Sequence, residues 1–367
     1  MKVYHISTVH KRYDGRIFKK ECVSLMKAGF EVSLVVADGK GDELHSGVHI
    51  IDAGMPGKGR INRFLKGTKL VRKIIERDQP DVLHFHDPEL LFLARKMAKK
   101  YVVIYDSHED LPKQIMSKSY IKPFLRKTFA FLARTIEKRT AKKIYGVISV
   151  VDEIVERYQT YQPNTILIAN YPIINMEETV DYELKNGNIV YAGGVSEIRG
   201  VVEMAKIAKE IAESVHIYGP IANETVKKEC ELLSNSFAKF YGQINQEELF
   251  QILKKASIGL IILHPVPNYI NSSPNKLFEY MANGMAVIAS DFPVWKEIID
   301  TYQCGICVNP LHVAETVNAI QYLKNNPEIA GTMGKNGHQA VLEHFSWELE
   351  SRKLVTFYQG CKNYKKV

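Results

Sequence analysis

The feature that most constrains the fold is a regular alternation of short, β-branched runs with longer segments of helical periodicity. Runs such as Val3–Ser7 and Glu31–Ala37 have the length of strands, and the segment Arg16–Lys27 between them has one apolar helical face. Strands that alternate with helices form βαβ units, which build parallel sheets with helices on both faces. The sequence therefore predicts an α/β fold.

The same alternation runs through both halves of the chain. In the first half we expect strands at Val3–Ser7, Glu31–Ala37, Asp81–His86, Val102–Asp106, Gly146–Val150 and Thr165–Ala169, and helices at Arg16–Lys27, Asn62–Asp78, Pro88–Lys99 and about Ile121–Lys143. In the second half we expect strands at Asn188–Gly193, His216–Gly219, Lys239–Gly242, Ile258–Leu263, Ala286–Ser290 and Gly305–Val308. The helices there are expected at Gly200–Glu213, Asn223–Ser234, Gln246–Lys255, Asn275–Asn283, Val313–Asn325 and Pro327–His344.

An irregular, proline-containing stretch near residues 170–185 separates the two series and is typical of a hinge. A length of 367 residues also suits two domains, since a domain usually has roughly 100–200 residues. We therefore predict a doubly wound parallel-sheet domain over residues 1–172, a second over residues 173–345 and a last helical segment over residues 346–367.

The composition excludes several classes of protein. Apolar residues make up 46% of the chain and charged residues 25%, which is ordinary for a globular protein and unlike a disordered chain. The longest apolar runs are far shorter than the roughly 20 residues that span a membrane, and the first residues have the pattern of a strand rather than a signal peptide. Five scattered cysteines fit reduced thiols, so we expect a cytoplasmic protein with Cys304 and Cys307 as core thiols.

Positive charge is concentrated in the first half, where residues 1–180 hold 31 basic and 21 acidic residues. Within it, Lys113–Lys143 contains ten Lys and Arg residues against one acid, Glu137, together with apolar residues such as Phe124 and Phe131. Such a segment either lies on an anionic membrane or is a solvated helix with one core face. A nucleic-acid partner is not expected, because no matching motif occurs.

Loops that follow strands are the candidate sites, because ligands of parallel sheets bind beyond the carboxyl ends of the strands. In the loop Tyr191–Gly200, Gly193 and Gly194 allow backbone N–H groups to approach a phosphate at the start of a helix. Arg199 adds a cation that can contact two phosphate oxygens. A plain turn between a strand and a helix is the alternative interpretation.

A second loop, residues 271–275, leads into a helix that begins near Pro274 or Asn275. Lys276 lies in the first turn, where a cation opposes the helix dipole unless an anion is bound. Glu279 follows one turn later on the same face, so the pair suits a diphosphate and the ribose hydroxyls beyond it. An ion pair on the surface is the alternative. Because Asp-X-Asp does not occur in the chain, Arg199, Lys276 and helix N-termini would have to neutralise a bound diphosphate.

Two strands of the first half end in polar residues, at His84–Glu89 and Tyr105–Asp110. His84 and His86 share a strand face, so a zinc pair is conceivable. The spacing supplies no further ligand, and we therefore expect no metal. Substrate contacts are expected instead, from His86, Asp87, His108 and Glu109, and from Gly15 and Arg16 of the loop after the first strand, for which a solvated loop is the alternative.

These motifs together resemble the family 4 glycosyltransferases over nearly the whole chain. The segments that carry the resemblance are Asp14–Glu21, His84–Leu91, Tyr105–Pro112, Gly193–Gly200, Ser273–Ser290 and Phe345–Glu348. The resemblance implies two facing Rossmann-like domains (the GT-B fold), a nucleotide-sugar donor, retention of the anomeric configuration and no metal cofactor. It also implies that a last helix, about Trp347–Gly360, crosses back onto the first domain.

The resemblance further assigns roles to single residues. His108 matches a histidine close to the donor sugar and the reacting centre. Arg199 stands at the position of a phosphate-binding lysine and Gly194 at that of an arginine, so Lys276 is expected to supply the second charge. The three catalytic residues implied in this way are His108, Arg199 and Lys276.

The donor site implied by the resemblance includes part of a Glu-X7-Glu motif. Glu279 matches its second glutamate, a ribose-binding residue, and Asn271 stands in place of the first. The residues expected to bind the donor are Gly193, Gly194, Asn271, Ser273, Pro274, Asn275, Leu277 and Glu279.

The expected function is that of a retaining, metal-independent glycosyltransferase acting on a glycan or lipid-linked acceptor in surface polysaccharide synthesis, in the cytoplasm or at the inner face of the cell membrane. Two alternatives remain open. A nucleotide-sugar epimerase on the same fold would act on the donor alone, and a non-catalytic nucleotide-sugar binder would bind the donor without turnover.

Overall fold

The computed structural model describes residues 1–55, 57, 63–117, 121–174, 180–270, 272 and 275–364. The chain forms two compact units: Met1–Asn170 together with the segment that begins at Trp347, and Tyr171–Ser346. Each unit is built on its own sheet.

The sheet of the first unit consists of β1 (Lys2–Ile6), β2 (Glu31–Val36), β3 (Glu43–His45), β4 (Val48–Asp52), β5 (Val82–Phe85), β6 (Val102–Ser107), β7 (Gly146–Ser149) and β8 (Thr165–Leu167). The strand order is β3-β4-β2-β1-β5-β6-β7-β8, and β3 pairs antiparallel with β4 in an otherwise parallel sheet. The helices are α1 (Val23–Lys27), which continues a π-helical turn over Ile17–Cys22, then α2 (Thr68–Asp78), α3 (Leu91–Met97), α4 (Leu111–Ser117), α5 (Pro123–Ala141) and α6 (Asp152–Gln159).

The sheet of the second unit consists of β9 (Ile189–Ala192), β10 (Val215–Tyr218), β11 (Ala238–Gly242), β12 (Ile258–Ile261), β13 (Ala286–Ser290) and β14 (Gly305–Val308). These six strands are parallel, in the order β11-β10-β9-β12-β13-β14. The helices are α7 (Val201–Ile211), α8 (Glu224–Leu233), α9 (Gln246–Lys255), α10 (Pro267–Ile270), α11 (Asn275–Ala282), α12 (Pro293–Tyr302), α13 (Val313–Asn325) and α14 (Pro327–His344).

Apolar side chains cover both faces of each sheet, as parallel sheets require. In the first unit, Val3 and Val82 belong to one core cluster, whereas their strand neighbours Tyr4 and Leu83 belong to a second cluster on the opposite face. In the second unit, Cys304 is buried immediately before β14 as a free thiol.

The last helix, α15 (Trp347–Cys361), belongs to the first unit. Trp347 Nε1 donates a hydrogen bond to Ser24 Oγ at 2.9 Å, and Glu350 Oε2 accepts one from the Ala169 N–H at 2.8 Å. Leu354 and Phe357 are buried in the core cluster that also contains Val3. The expectation that the last helix returns to the first domain is confirmed.

The predicted architecture of two doubly wound α/β domains is confirmed, and most elements lie within a few residues of their predicted bounds. Five features were not predicted: the hairpin of β3 and β4, and the helices α4, α6, α10 and α12. The hairpin turns at Ser46 and Gly47, both of which have positive φ angles.

Candidate functional site

Each sheet has a point at which the strand order reverses, and the predicted site residues cluster there. In the first unit the reversal lies between β1 and β5, and in the second between β9 and β12. Adjacent loops leave such a point in opposite directions and open a crevice, which is where ligands bind in doubly wound sheets. The position of the loops after these strands therefore marks a candidate site in each unit.

Below the crevice of the first unit lies a group of histidines that point to one face of the sheet. His5 on β1 is in register with His84 on β5, and His86 follows two residues after His84. Side chains two apart on a strand share a face, so the three imidazoles meet beside each other. All three are buried, as is Glu21, which reaches them from the π-helical turn before α1.

Short contacts join this cluster into one network. His5 Nδ1 lies 3.0 Å from His86 Nε2, and His86 Nδ1 lies 3.2 Å from His108 Nε2. At the other end the hydroxyl of Tyr358 on α15 lies 2.7 Å from His84 Nδ1. The network therefore runs from the covering helix to His108, whose side chain is 21% exposed and stands at the crevice.

Arg16 and Asp106 are the charged residues in contact with this network. The Arg16 guanidinium is buried and donates to Asp106 and to the Ile168 carbonyl, and its Nε lies 3.0 Å from Glu21 Oε1. Burial opposes ionisation of Asp106, but Arg16 and then His108 hold its pKa well below the usual value. Burial raises the pKa of Glu21 well above the usual value, because the attraction of Arg16 does not offset the loss of solvent.

The histidines also depart from their ordinary values. Burial, followed by repulsion from His86, lowers the pKa of His5 and of His84 well below the usual value. Burial lowers the pKa of His86 to about 4, although Asp106 favours its charged form. These three imidazoles are therefore neutral at physiological pH, whereas attraction to Asp87 raises the pKa of His10 in the loop above them.

Asp87 is buried, and its carboxylate accepts hydrogen bonds from the loop after β1. Its partners are the Ser7 hydroxyl at 2.9 Å, the Thr8 N–H and hydroxyl, and His10 Nδ1 at 3.2 Å. The structure therefore shows a positioning role for Asp87 and also for buried Arg16. Their contact with substrate, like that of Gly15 and exposed Glu109 beside them, stays a prediction.

In the second unit the glycine loop follows β9, and its shape depends on close packing. A side chain at Gly193 would meet the Tyr191 hydroxyl at 2.5 Å, and that hydroxyl donates to the Gly194 carbonyl at 3.0 Å. Gly200 has a φ angle of 75° and would place a side chain 2.0 Å from the Ile262 carbonyl, so only glycine fits before α7. Arg199, partly buried, lies between these glycines and beside Tyr191.

Helix α11 is tied to the same strand end as the glycine loop. The Tyr280 hydroxyl accepts a hydrogen bond from the Ala192 N–H at 2.7 Å, and its ring fills the space that a side chain at Gly259 would occupy. On the outer face of the helix, Lys276 Nζ donates to Glu279 Oε2 at 2.6 Å, with both side chains about one third exposed.

The remaining predicted donor contacts differ in their surroundings. Asn275 is exposed at the start of α11, whereas the Leu277 side chain is fully buried in the core. The donor contacts of both residues stay predictions. Asn271, Ser273 and Pro274 lie outside the described residues.

Comparison with known proteins identifies the family. Residues 16–170 match the family described as Glycosyltransferase Family 4, and residues 200–356 match the family described as Glycosyl transferase-like, so that the two matches span most of the chain. The chain belongs to the family 4 glycosyltransferases. It is 20% identical over 249 residues to an MMP alpha-(1->4)-mannosyltransferase from Mycolicibacterium hassiacum, covering 65% of this chain and 59% of that relative's length.

Solved structures agree on the fold of this glycosyltransferase. A sucrose-phosphate synthase from Thermosynechococcus elongatus superposes with a TM-score of 0.75 at 17% identity, covering 98% of each chain. HepE from Anabaena, solved in complex with UDP-glucose, superposes with a TM-score of 0.70 at 13% identity, covering 98% of this chain and all of that one. At these identities the likeness shows a shared GT-B fold.

The sequence interpretation gave no role to five residues of the two sites: His5, Glu21, Asp106, Tyr280 and Tyr358. His5 carried a signal, because a polar residue in a strand with two buried faces is unusual. Tyr280 and Tyr358 had the helical spacing of core residues, and a core role does not reveal which backbone or histidine atom a hydroxyl contacts.

Proposed function

We propose that this glycosyltransferase transfers a sugar, with retention of anomeric configuration, from a nucleoside diphosphate sugar to a glycan or lipid-linked acceptor in surface polysaccharide synthesis. The observation that supports this proposal most is the arrangement around β9. A tightly packed glycine loop with Arg199 and a helix with Lys276 are joined to one strand end by the Tyr280 hydroxyl. Two cationic side chains beside a close-packed glycine loop support a diphosphate-binding role for this arrangement.

The charge changes of the reaction fit these residues. Cleavage of the bond between sugar and phosphate leaves negative charge on the diphosphate, which Arg199 and Lys276 stabilise. The Lys276 ammonium then exchanges its contact with Glu279 for a phosphate oxygen, and Glu279 binds the ribose hydroxyls. The departing phosphate accepts the proton of the acceptor hydroxyl, which attacks from the same face of the sugar.

His108 contacts the donor sugar in this proposal. Its Nε2 is already 3.0 Å from Asp106 Oδ2, so the Nδ1 side of the ring is the side that meets a sugar hydroxyl. Asp106 and His86 fix the ring orientation, which is the property that a positioning contact requires. The two cationic side chains take the place of a metal ion at the diphosphate.

A thermal-unfolding panel tests the donor site. We expect one of UDP, GDP or ADP, or its sugar, to raise the melting temperature, and we expect EDTA to leave this ligand-induced rise unchanged. The rise is measured against nucleotide-free protein in the same buffer, so that a change in the baseline upon chelation does not count. Absence of a rise with every nucleotide would refute the phosphate roles of Arg199 and Lys276, and a rise that EDTA abolishes would refute metal independence.

For the acceptor, we propose that α5 lies on the anionic inner face of the cell membrane. Its residues Phe124 and Phe131 are 73% and 69% exposed, and basic residues surround them. Exposed aromatic rings beside Lys and Arg bind the interface of anionic lipid bilayers. Among the described residues, no helix is both long and apolar enough to cross a membrane.

Sedimentation with vesicles tests the membrane proposal. The protein should bind vesicles that contain phosphatidylglycerol, bind neutral vesicles poorly, and dissociate as salt is raised. Phe124→Ser and Phe131→Ser should each weaken binding severalfold. Leu232→Ser on α8 is the control, because Leu232 is 80% exposed in the second unit. Equal binding by all three variants, or none by the parent protein, would reject the proposal.

A further inference from the structure

The carboxylate of Glu21 in the first unit is buried, and neither of its oxygens has a hydrogen-bond partner among the described residues. Glu21 Oε2 faces three imidazoles but lies 3.7 Å from His5 Nδ1, 3.8 Å from His84 Nδ1 and 4.0 Å from His86 Nε2. Within the part of the chain that the structure describes, this oxygen has no hydrogen-bond partner, and the whole side chain is shielded from solvent. A buried polar group without a partner destabilises the folded protein. A bound ion in the space in front of Glu21 Oε2 would remove this cost.

The size of this space fits a metal ion. Zinc bonds to nitrogen and oxygen are about 2.0–2.1 Å long, which places the ligand atoms of a tetrahedral site about 3.3 Å apart. The three distances from Glu21 Oε2 are slightly longer than this, and the 3.0 Å between His5 Nδ1 and His86 Nε2 is slightly shorter. All four atoms lie within 4.8 Å of one another, so small side-chain movements complete a tetrahedron.

The surroundings of the four side chains are those of metal ligands. Glu21 Oε1 forms an ion pair with Arg16 Nε at 3.0 Å, whereas Oε2 faces the imidazoles and is the coordinating oxygen in this site. His86 Nδ1, on the far side of its ring, lies 3.5 Å from Asp106 Oδ2, the outer carboxylate that orients a metal-binding imidazole.

The backbone also marks this place as unusual. Glu21 lies in a π-helical turn, in which the Glu21 N–H bonds the Arg16 carbonyl at 2.9 Å. Such turns are rare and concentrate at functional sites. Here the turn directs Glu21 at the histidine face of the sheet.

We propose that the first unit binds one structural zinc ion through His5 Nδ1, His84 Nδ1, His86 Nε2 and Glu21 Oε2. Imidazole nitrogen and carboxylate oxygen are both zinc donors, and the burial of all four side chains leaves no open position for a substrate. The ion connects β1, β5 and the turn before α1 beneath the loops that carry His10 and His108. This inference is independent of the proposed reaction.

A variant at Tyr358 serves as the control for variants of the proposed zinc ligands. Its hydroxyl lies 2.7 Å from His84 Nδ1, a position that the ion takes over, and 3.3 Å from His5 Nε2, which keeps the hydroxyl as its partner. Tyr358→Phe breaks the hydrogen-bonded network and leaves every proposed ligand in place. Glu21→Gln removes one ligand at nearly constant shape.

The experiment measures the metal content of protein purified without a polyhistidine tag. Elemental analysis should find about one zinc per chain, either as isolated or after refolding with zinc. Cobalt substitution should give the strong visible absorption of a four-coordinate site. Removal of the ion should lower the melting temperature, and zinc but not magnesium should restore it.

Variants then locate the ion. Glu21→Gln and His84→Gln should lose most of the zinc, whereas Tyr358→Phe should keep it. Parent protein that contains no zinc after either treatment would overturn the proposal and leave a purely hydrogen-bonded cluster. Full zinc in both ligand variants would also overturn it. The measurements on the parent protein decide the question even if a ligand variant fails to fold.

Discussion

The ion pair between Lys276 and Glu279 contributes little to the stability of the protein. Their ion pair spans one turn of α11 and is about one third exposed at both ends. Pairs of this kind contribute at most a few tenths of a kcal/mol, because water screens the charges and two long side chains lose freedom. The ion pair therefore does not account for a lysine in the first helical turn, where the helix dipole disfavours a cation, and the proposed diphosphate contact would account for it.

Lys276→Ala should lower turnover about a hundredfold, since it removes one of two charges that stabilise the leaving diphosphate. The free energy of unfolding should change by less than about 0.5 kcal/mol. Both are measurable on one preparation, by initial rates with the donor found in the thermal panel and by urea unfolding. Lys227→Ala is a matched control, because Lys227 pairs with Glu224 on α8 at the same spacing. A loss of stability with unchanged turnover would assign Lys276 to the surface pair alone.

Single residues were predictable from sequence where the signal was local. The loop glycines and the Lys276–Glu279 spacing could be recognised within ten residues of chain. The histidine cluster could not, because His5 meets His84 only through the pairing of β1 with β5. The strand order that brings them together, like the turn that aims Glu21, is a property of the assembled sheet.

At the scale of elements, the loop between β1 and α1 is held at several points. Asp14 Oδ1 accepts hydrogen bonds from the Arg16 and Ile17 N–H groups at 2.8 and 2.9 Å and starts the π-helical turn. Arg12 donates two bonds to Asp38, at 2.8 and 2.6 Å, and thereby ties the loop to the end of β2. The loop is thus fixed before any ligand arrives.

Arg12→Met should destabilise the first unit in a pH-dependent way. The hydrogen bonds from Arg12 hold the pKa of Asp38 below its usual value, against the smaller effect of burial. A depressed carboxyl pKa contributes stability above the unfolded value, near pH 4, and this stability is lost as pH falls through the folded value. The variant should therefore be about 1–2 kcal/mol less stable at pH 7, and the difference should shrink below about pH 4.

Urea unfolding from pH 3 to pH 8 measures that difference. Arg72→Met is the control, because the Arg72–Glu76 pair on α2 is more than 40% exposed at both ends and should contribute little at any pH. A deficit for Arg12→Met that stays constant down to pH 3 would show that lost packing, and not the ion pair with Asp38, is the cause.

Long elements with a clear period were predictable, and short ones were not. Helices α13 and α14 were predicted at their observed bounds, because each has three or more turns with one apolar face. The hairpin of β3 and β4 has a three-residue strand that is mostly exposed, so its sequence lacks a buried face to reveal it. Helix α12 was not predicted because it starts with Pro293. Proline is compatible with the first turn of a helix, although it usually marks a break in helical structure.

At the scale of the whole molecule, the first unit is discontinuous in sequence. Its core requires α15, which the chain reaches only after completing the second unit. Leu354, Phe357 and Tyr358 are buried against residues of β1, β2 and α1. Tyr358 also contacts the histidine cluster, so the last helix affects the site of the first unit as well as its stability.

A chain that ends at Ser346 should leave the first unit unfolded and the second unit folded. The four large buried side chains that are lost are Trp347, Leu354, Phe357 and Tyr358. Each contributes roughly 1.5–3 kcal/mol by burial, a sum comparable with the 5–15 kcal/mol that stabilises a typical domain. Limited proteolysis with mass spectrometry should show rapid cleavage within residues 1–170 and protection of residues 180–345.

A chain that ends at Asn363 keeps α15 and should retain both protected regions. A peptide of residues 347–363, added to the shortened chain, should restore protection, since it replaces the missing core face. Protection of residues 1–170 without α15 would mean that the sheet and its other helices are stable alone, and that the last helix serves the histidine cluster only.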